Sequence, residues 1–276
     1  MVSAQAPAAP LVVTADLLLG FGLASLIALM ALWWGALSRS GAFATIILGT
    51  IIFGLGGWRW SPAVLFFFLS SSLLSKFGKS KKTKLKEVFQ KNENRDGAQV
   101  VANGLVPSLC VVFNLLNPQP LWYSLYLASL SAANADTWAT EVGVLSNSAP
   151  ILITSGRPVP AGTSGGISWI GTGSSLAGAM SLALAGALLW PAYSVPLQNL
   201  IIITGAGFLA SFFDSFLGAI AQGQFACPAC GIRTERSLHC GNQTKKLSGW
   251  SWMNNDLANF LAGLFAAALT FFLIKV

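Results

Sequence analysis

Four of the nine Asp and Glu residues fall in or against long apolar stretches: Asp136, Glu141, Asp214 and Asp256. An ionised side chain at the centre of a bilayer costs about 2.5–3.5 kcal/mol even on lenient insertion scales, so residues of this kind are functional candidates. No Lys or Arg shares their stretches, which favours a divalent cation over an ion pair. Carboxylate and amide oxygens suit a hard ion such as Mg²⁺, and Asn134, Asn254, Asn255 and Asn259 stand beside the acids, with Gln99 and Asn103 opening another stretch. Asp256, after two asparagines and before an apolar run, also fits an ordinary first-turn helix acid. Asp136 and Glu141 are five positions apart, about 140° around an ideal helix. They therefore cannot share a narrow stripe. Asp136 pairs more naturally with Asp214, leaving Glu141 to bind a second ion or orient a neighbour.

A glycine-rich segment, 155–173, contains Gly162-Thr163-Ser164-Gly165-Gly166-Ile167-Ser168. Small residues bring backbone N–H groups close to an anion, and the start of a following helix adds a favourable dipole. Thr163, Ser164 and Ser168 contribute hydroxyls. It is not a Walker A loop, because no Lys follows the glycines, and glycine runs also serve close helix packing. The lysine cluster of segment 76–97 reads as a solvated, topology-setting loop near anionic lipid. Within it Arg95 lies closest to the apolar stretch and could reach a phosphate. Cys227-Pro-Ala-Cys230, with His239 and Cys240 behind, has the ligand types of a structural Zn²⁺ site. A second Cys-x-x-Cys is incomplete, with Ser237 in place of its first cysteine, and two adjacent ligands look awkward for one ion. The thiols are available in a reducing compartment. His239 is the sole histidine, so no Ser-His-Asp arrangement can form within the spans.

The elements that hold these groups follow from composition. Hydrophobic residues make up 54% of the 276-residue chain and charged residues 9%, against roughly a quarter charged in soluble domains. The chain is expected to be a single all-α membrane domain, a polytopic helix bundle of about six to eight spans. Apolar stretches cover 16–37, 42–57, 61–75, 98–116, 121–145, 174–191, 197–220 and 257–274. A helical span needs about 20 residues, so the short second and third are either tilted spans or a re-entrant pair around Trp58-Arg59-Trp60. If the long polar segments 76–97, 146–173 and 221–256 face the cytoplasm, only Arg59 and Lys275 of the 16 Lys and Arg lie outside. Both termini are then outside. The first ten residues, lacking Lys and Arg, make a poor secretory signal. The net charge of +7 is attributed to anionic headgroups of membrane lipid, not to nucleic acid. Tryptophans 33, 34, 58, 60, 122 and 190 read as an aromatic belt, and Cys110 as a packed small hydrophobe.

Three segments carry a resemblance: Ala133-Asn-Ala-Asp-Thr-Trp-Ala-Thr-Glu-Val-Gly143, Pro158-Val-Pro-Ala-Gly-Thr-Ser-Gly-Gly-Ile-Ser168 and Asp214-Ser-Phe-Leu-Gly-Ala219. They resemble signatures of the membrane-protein family that includes transmembrane protein nineteen of animals and the phytyl-phosphate kinases of plants and cyanobacteria. Asp96-Gly-Ala-Gln99, Asn103-Gly104 and Asn254-Asn-Asp256 with Asn259 fit as well, so the resemblance runs from about residue 20 to the last helix. It implies transfer of a phosphoryl group from a nucleoside triphosphate, CTP or ATP, to a prenyl monophosphate. With phytyl monophosphate the product, phytyl diphosphate, feeds tocopherol and phylloquinone synthesis.

The residues suit that chemistry. A phosphate monoester is already an anionic nucleophile, so the reaction needs alignment and cancelled repulsion more than a base. On this reading Asp136, Glu141, Asp214 and Asp256 hold Mg²⁺. Arg95, Gln99, Asn103, Asn134, Thr163, Ser164, Gly165, Gly166, Asn255 and Asn259 contact phosphates. The alternative is a secondary transporter or channel using its intramembrane carboxylates, and a third reading is a scaffold with partner-binding loops. The faint likeness of Asp136-Thr-Trp138 to Asp214-Ser-Phe216 is too short to establish an internal repeat.

Overall fold

The computed structural model describes residues 10–76, 94–189 and 191–274. Most of the lysine cluster (Lys79, Lys81, Lys82, Lys84, Lys86 and Lys91), Trp190 and Lys275 lie outside these residues. Among the described residues eight α-helices follow one another: α1 Pro10–Trp33, α2 Arg39–Thr50, α3 Ser61–Lys76, α4 Gly97–Leu116, α5 Pro120–Gly143, α6 Trp169–Leu188, α7 Leu197–Ile220 and α8 Asn255–Leu273. The chain is an all-α membrane bundle whose polar loops carry only short strands: β1 Ile151–Leu152, β2 Gly166–Ile167, β3 Gln224–Ala226, β4 Arg233–Thr234, β5 Leu238–His239, β6 Asn242–Gln243 and β7 Lys245–Ser248.

Five helices, α1, α4, α6, α7 and α8, are long and apolar enough to cross a membrane. The second and third apolar stretches form separate helices. α2 continues through a π-helical turn, Ile51–Leu55, and α3 begins after a turn at 56–60. Gly20 lies against Gly54 and Ala24 against Gly49, so α1 and α2 run antiparallel at close range, as small residues allow within lipid.

The longest buried run belongs to α5, which packs against α3, α4, α6, α7 and α8. Every residue from Tyr123 to Ala135 is buried. A helix enclosed by other helices need not be as greasy as one facing lipid, which explains how α5 carries Ser124, Ser129, Ser131 and Asn134 at its core. Asn134 acts as a cross-brace. Its Nδ2 donates to the Gly178 carbonyl at 2.8 Å, and its Oδ1 accepts from the Ser70 hydroxyl at 2.9 Å. This corrects its reading as a phosphate contact, because both ends of the amide join α5 to α6 and α3. Near the start of α5, Tyr126 donates to the Trp60 carbonyl at 2.6 Å, and the Trp60 ring meets Tyr123 and Tyr126 edge-on. Trp60 is thus 3% exposed and belongs to the core, not to an aromatic belt. Trp33, Trp34 and Trp58 remain exposed.

The polar connections gather at one end of the bundle. Ser38 N–H donates to the Arg95 carbonyl and Arg95 N–H to the Ala36 carbonyl. Lys76 Nζ reaches the Trp34 carbonyl, and the Ser164 hydroxyl reaches Gln222 Oε1. The opposite end is closed by the short turns around 56–60, 117–119 and 191–196.

Candidate functional site

The last two turns of α5 present Asp136, Ala139, Thr140 and Gly143 along one stripe, the i, i+3, i+4, i+7 spacing of a helix face. This stripe forms one wall of a cavity of about 160 Å³ at the polar end. α7 supplies Ser211, Phe212, Asp214 and Ser215, and the start of α6 supplies Ser168, Gly171, Thr172 and Ser175. Segment 161–167, Gln222, Glu235 and Asn255 complete the lining. Three carboxylates, Asp136, Asp214 and Glu235, therefore share one space rich in hydroxyls. Among the described residues lining it there is no Lys or Arg.

Asp214 is buried, and its Oδ2 has no hydrogen-bond partner among the described residues. An isolated buried carboxylate is strongly disfavoured unless something compensates its charge. The donor set, carboxylates with hydroxyls and an amide, is the one a hard divalent cation takes. Asp136 and Glu235 both lie within electrostatic reach of Asp214.

The glycine loop is built as the sequence requires, though not as an open cradle. Gly162 and Gly165 have φ of 84° and 79°, a region favouring glycine. Gly165 also presses on the α7 backbone at Ala219, leaving no room for a methyl group. β1 and β2 pair antiparallel, Leu152 with Gly166. Thr163 N–H donates to the Pro160 carbonyl and Gly166 N–H to the Thr163 carbonyl. The Thr163 hydroxyl donates to Pro160 as well, and the Ser164 hydroxyl is bound to Gln222 at 2.6 Å. The expectation that Thr163, Ser164 and Gly166 all offer free donors to an anion is corrected: these donors close turns that fix the loop. The start of α6, capped by Ser168 accepting from Gly171 N–H at 3.1 Å, brings its dipole to the same cavity.

The remaining predicted residues divide. Asn255 lines the acidic cavity, whereas Asp256 and Asn259 do not. Asp256 is buried in the first turn of α8, behind the Asn254 cap, and Asn259 keeps its Oδ1 buried without a hydrogen bond among the described residues. Glu141 faces away from Asp136. It accepts from the Ser75 hydroxyl of α3 at 2.6 Å and lies within electrostatic reach of Arg95. Arg95, Gln99 and Asn103 belong to a second cavity, of about 90 Å³, walled by apolar side chains that include Ile52, Phe53, Phe67 and Leu130. There the Arg95 guanidinium lies 5.3 Å from the Phe67 ring centre, within cation–π range. Gln99 is the partner of Asp96 in a capping box, and Asn103 Nδ2 donates to the Gln99 carbonyl. The four acids thus do not converge on one ion. Asp136 and Asp214 line one cavity, and Glu235 lines it with them. The sequence offered no signal for Glu235, because an acid in a polar loop bears no insertion cost.

The cysteine cluster is assembled. The ligand atoms of Cys227, Cys230, His239 and Cys240 all lie within 4.8 Å of one another. The Cys227 thiol is held down at about 6, chiefly by hydrogen bonding from the Cys230 backbone N–H, while the Cys240 thiol is pushed up to about 11, chiefly by its hydrogen bond with Cys230.

Comparison with known sequences supports the resemblance of the motifs. The profile of the family described as integral membrane protein DUF92 matches residues 22–267. Protein PGR of Arabidopsis thaliana is 31% identical over 270 residues, covering 90% of this chain and 92% of that protein. An uncharacterized membrane protein of Synechocystis is 29% identical over 229 residues, covering 81% of this chain and 77% of its own. One from Methanocaldococcus jannaschii is 32% identical over 189 residues, covering 67% and 75%. No solved structure matches the chain.

Proposed function

The chain belongs to the integral membrane protein DUF92 family, and within it we propose a prenyl-phosphate kinase: an enzyme that transfers a phosphoryl group from CTP or ATP to phytyl, or a related prenyl, monophosphate. The observation that carries this reading is the pairing of half-buried Asp136 with buried Asp214, facing a rigid glycine loop and a helix start across one cavity. Two polyanions cannot approach such a wall of carboxylates without a cation between them. Asp136, Asp214 and Glu235 would hold Mg²⁺, which supplies charge neutralisation for the phosphates when bound. The protein's own contribution is alignment: the loop stiffened by its turns, Ser168 and the α6 start, and the hydroxyls of Thr140, Thr172 and Ser215.

The second cavity supports a lipid substrate. Its apolar walls suit an isoprenoid tail, and Arg95 at its polar end suits the phosphate that tail carries. Thr140 and Glu141 are adjacent on α5, Thr140 lining the acidic cavity and Glu141 within electrostatic reach of Arg95, which lines the second. In this proposal the polar end faces the cytoplasm, or the stroma in a plastid, where nucleotide is available, and the product feeds tocopherol and phylloquinone synthesis.

The test is radiolabel transfer from nucleotide to phytyl monophosphate by purified protein in detergent. Mg²⁺-dependent formation of labelled diphosphate is the expected result. Failure to transfer to any prenyl monophosphate, together with proton- or cation-coupled uptake into liposomes, would overturn the kinase in favour of a transporter.

A further inference from the structure

The segment 221–254 returns over the acidic cavity, and its fold centres on four sulfur and nitrogen atoms. β3 pairs antiparallel with β4, Ala226 opposite Arg233, and the turn between them carries Cys227 and Cys230. Gly231 N–H donates back to the Cys227 carbonyl, and Cys227 N–H to the Ile232 carbonyl. β5 ends in His239, and the turn from it to β6 carries Cys240. His239 Nδ1 lies 3.5 Å from Cys230 Sγ and 3.2 Å from Cys240 Sγ, and the two Sγ atoms are 3.8 Å apart. Ligands about 2.0–2.3 Å from a tetrahedral zinc are separated by roughly 3.3–3.8 Å, so these spacings are those of a preassembled site.

Adjacent ligands on one ion are accommodated by the backbone. Cys240 has φ of 51° and is the only non-glycine residue with positive φ among those described, and Gly231 and Gly241 also adopt positive φ. Such strain in a non-glycine residue persists where the surroundings enforce it. Turning the chain there lets the His239 ring and the Cys240 thiol approach the same point. The sequence-level objection to neighbouring ligands is thereby removed.

We propose that Cys227, Cys230, His239 and Cys240 bind one structural zinc ion, and that this ion staples both ends of the segment that delivers Glu235 to the acidic cavity. Cys230 and His239 bracket residues 231–238. Between them lie Thr234, buried and paired with Phe225 of β3, and Glu235, which lines the cavity with Asp136 and Asp214. This segment makes few strand contacts of its own: β4 and β5 are two residues each. Short strands of this kind do not hold themselves in place, and a four-ligand metal site supplies the missing constraint. The zinc is remote from phosphoryl transfer in the chemical sense. It has no open coordination position, and Glu235 is the residue through which it acts, so Glu235 is a positioned group and the cysteines are positioning residues.

The test uses the full-length protein purified without chelators. Elemental analysis is expected to find one zinc per chain, lost in Cys230→Ser and in Cys240→Ser. Exchange with Co²⁺ is expected to give the intense visible bands of tetrahedral thiolate coordination. Trypsin cleavage after Arg233 and Arg236 is expected to accelerate several-fold when zinc is stripped, and to slow again when zinc is restored. Glu235→Gln is expected to retain full zinc occupancy, since it removes no ligand. Metal-free protein with no cobalt spectrum, or a Cys230–Cys240 disulfide in place of the metal, would overturn the site. Zinc-bound protein whose cleavage at Arg233 and Arg236 is indifferent to chelation would overturn the staple. None of these readouts depends on kinase activity.

Discussion

Two cavities lie against different stretches of α5, one against its last two turns and the other at Leu130, and they differ in almost every respect. The one on the α6–α7 side holds three carboxylates, at least seven hydroxyl-bearing residues and a loop fixed by its own turns. The one on the α2–α4 side is walled by aliphatic and aromatic side chains, with a single guanidinium and two amides at its polar end. A helix with one uniform environment could not serve both. α5 contributes Asp136, Ala139, Thr140 and Gly143 to the first and Leu130 to the second, while Glu141 is turned to Ser75 of α3. The contrast teaches how one helix bundle keeps a cluster of carboxylates apart from an apolar space: the charge gathers at the end of α5 toward α6 and α7, and the apolar walls gather around α2, α3 and α4.

The strongest way to break the comparison is to neutralise the acidic side alone. Asp136→Asn and Asp214→Asn keep shape and remove charge, and each is expected to lower transfer at least about 100-fold, the scale of losing a group that stabilises transition-state charge. Size-exclusion profiles in detergent should stay unchanged. Transfer at the unaltered rate in both variants would remove the acids from the mechanism.

Gly165→Ala attacks the loop facing those acids. It places a methyl group against Ala219 at a backbone φ of 79°, and a destabilisation of about 1–3 kcal/mol is expected. Thermal unfolding followed by an environment-sensitive dye measures it, and an unshifted transition would show that the loop is not held against α7.

Arg95→Gln sharpens the other side. A lost charge-assisted contact is worth about 1.5–3 kcal/mol, so KM for the lipid substrate should rise about tenfold or more with KM for nucleotide nearly constant. Equal increases in both would mean that the two cavities do not divide the substrates.

The smallest effect is expected from Asn134→Ala, at the core of α5. Interhelical hydrogen bonds in membranes average about 0.6 kcal/mol and reach about 1.7 kcal/mol. Stability should fall within that range while transfer per folded molecule is retained. A selective loss of transfer would return Asn134 to phosphate binding.

Asp136 and Asp214 were legible in the sequence because the bilayer makes a buried carboxylate conspicuous. Even the divergence of Glu141 followed from helical geometry, five residues being well over a third of a turn out of line. Asn134 was misread because an amide in a membrane helix serves equally as ligand or brace, and only its neighbours on α3 and α6 decide. Glu235 left no trace, since its placement depends on the path of a loop from β3 back over the cavity. Nor did the sequence reveal that a positive φ at Cys240 would bring His239 and Cys240 to one point. The helices were largely readable from hydropathy. Trp60, by contrast, is drawn inside by Tyr123 and Tyr126, residues 63 and 66 positions away in sequence and unrelated to it by any local period.

The central claim is that Asp136 and Asp214 form a divalent-cation site, and Mn²⁺ titration of the purified protein by electron paramagnetic resonance tests it most directly, without knowledge of the prenyl tail or the nucleotide. The wild-type protein is expected to bind Mn²⁺ in competition with Mg²⁺, and the Asp136→Asn/Asp214→Asn double variant, folded and zinc-loaded, is expected to have lost that binding. Undiminished, Mg²⁺-competed Mn²⁺ binding by the double variant would contradict the account.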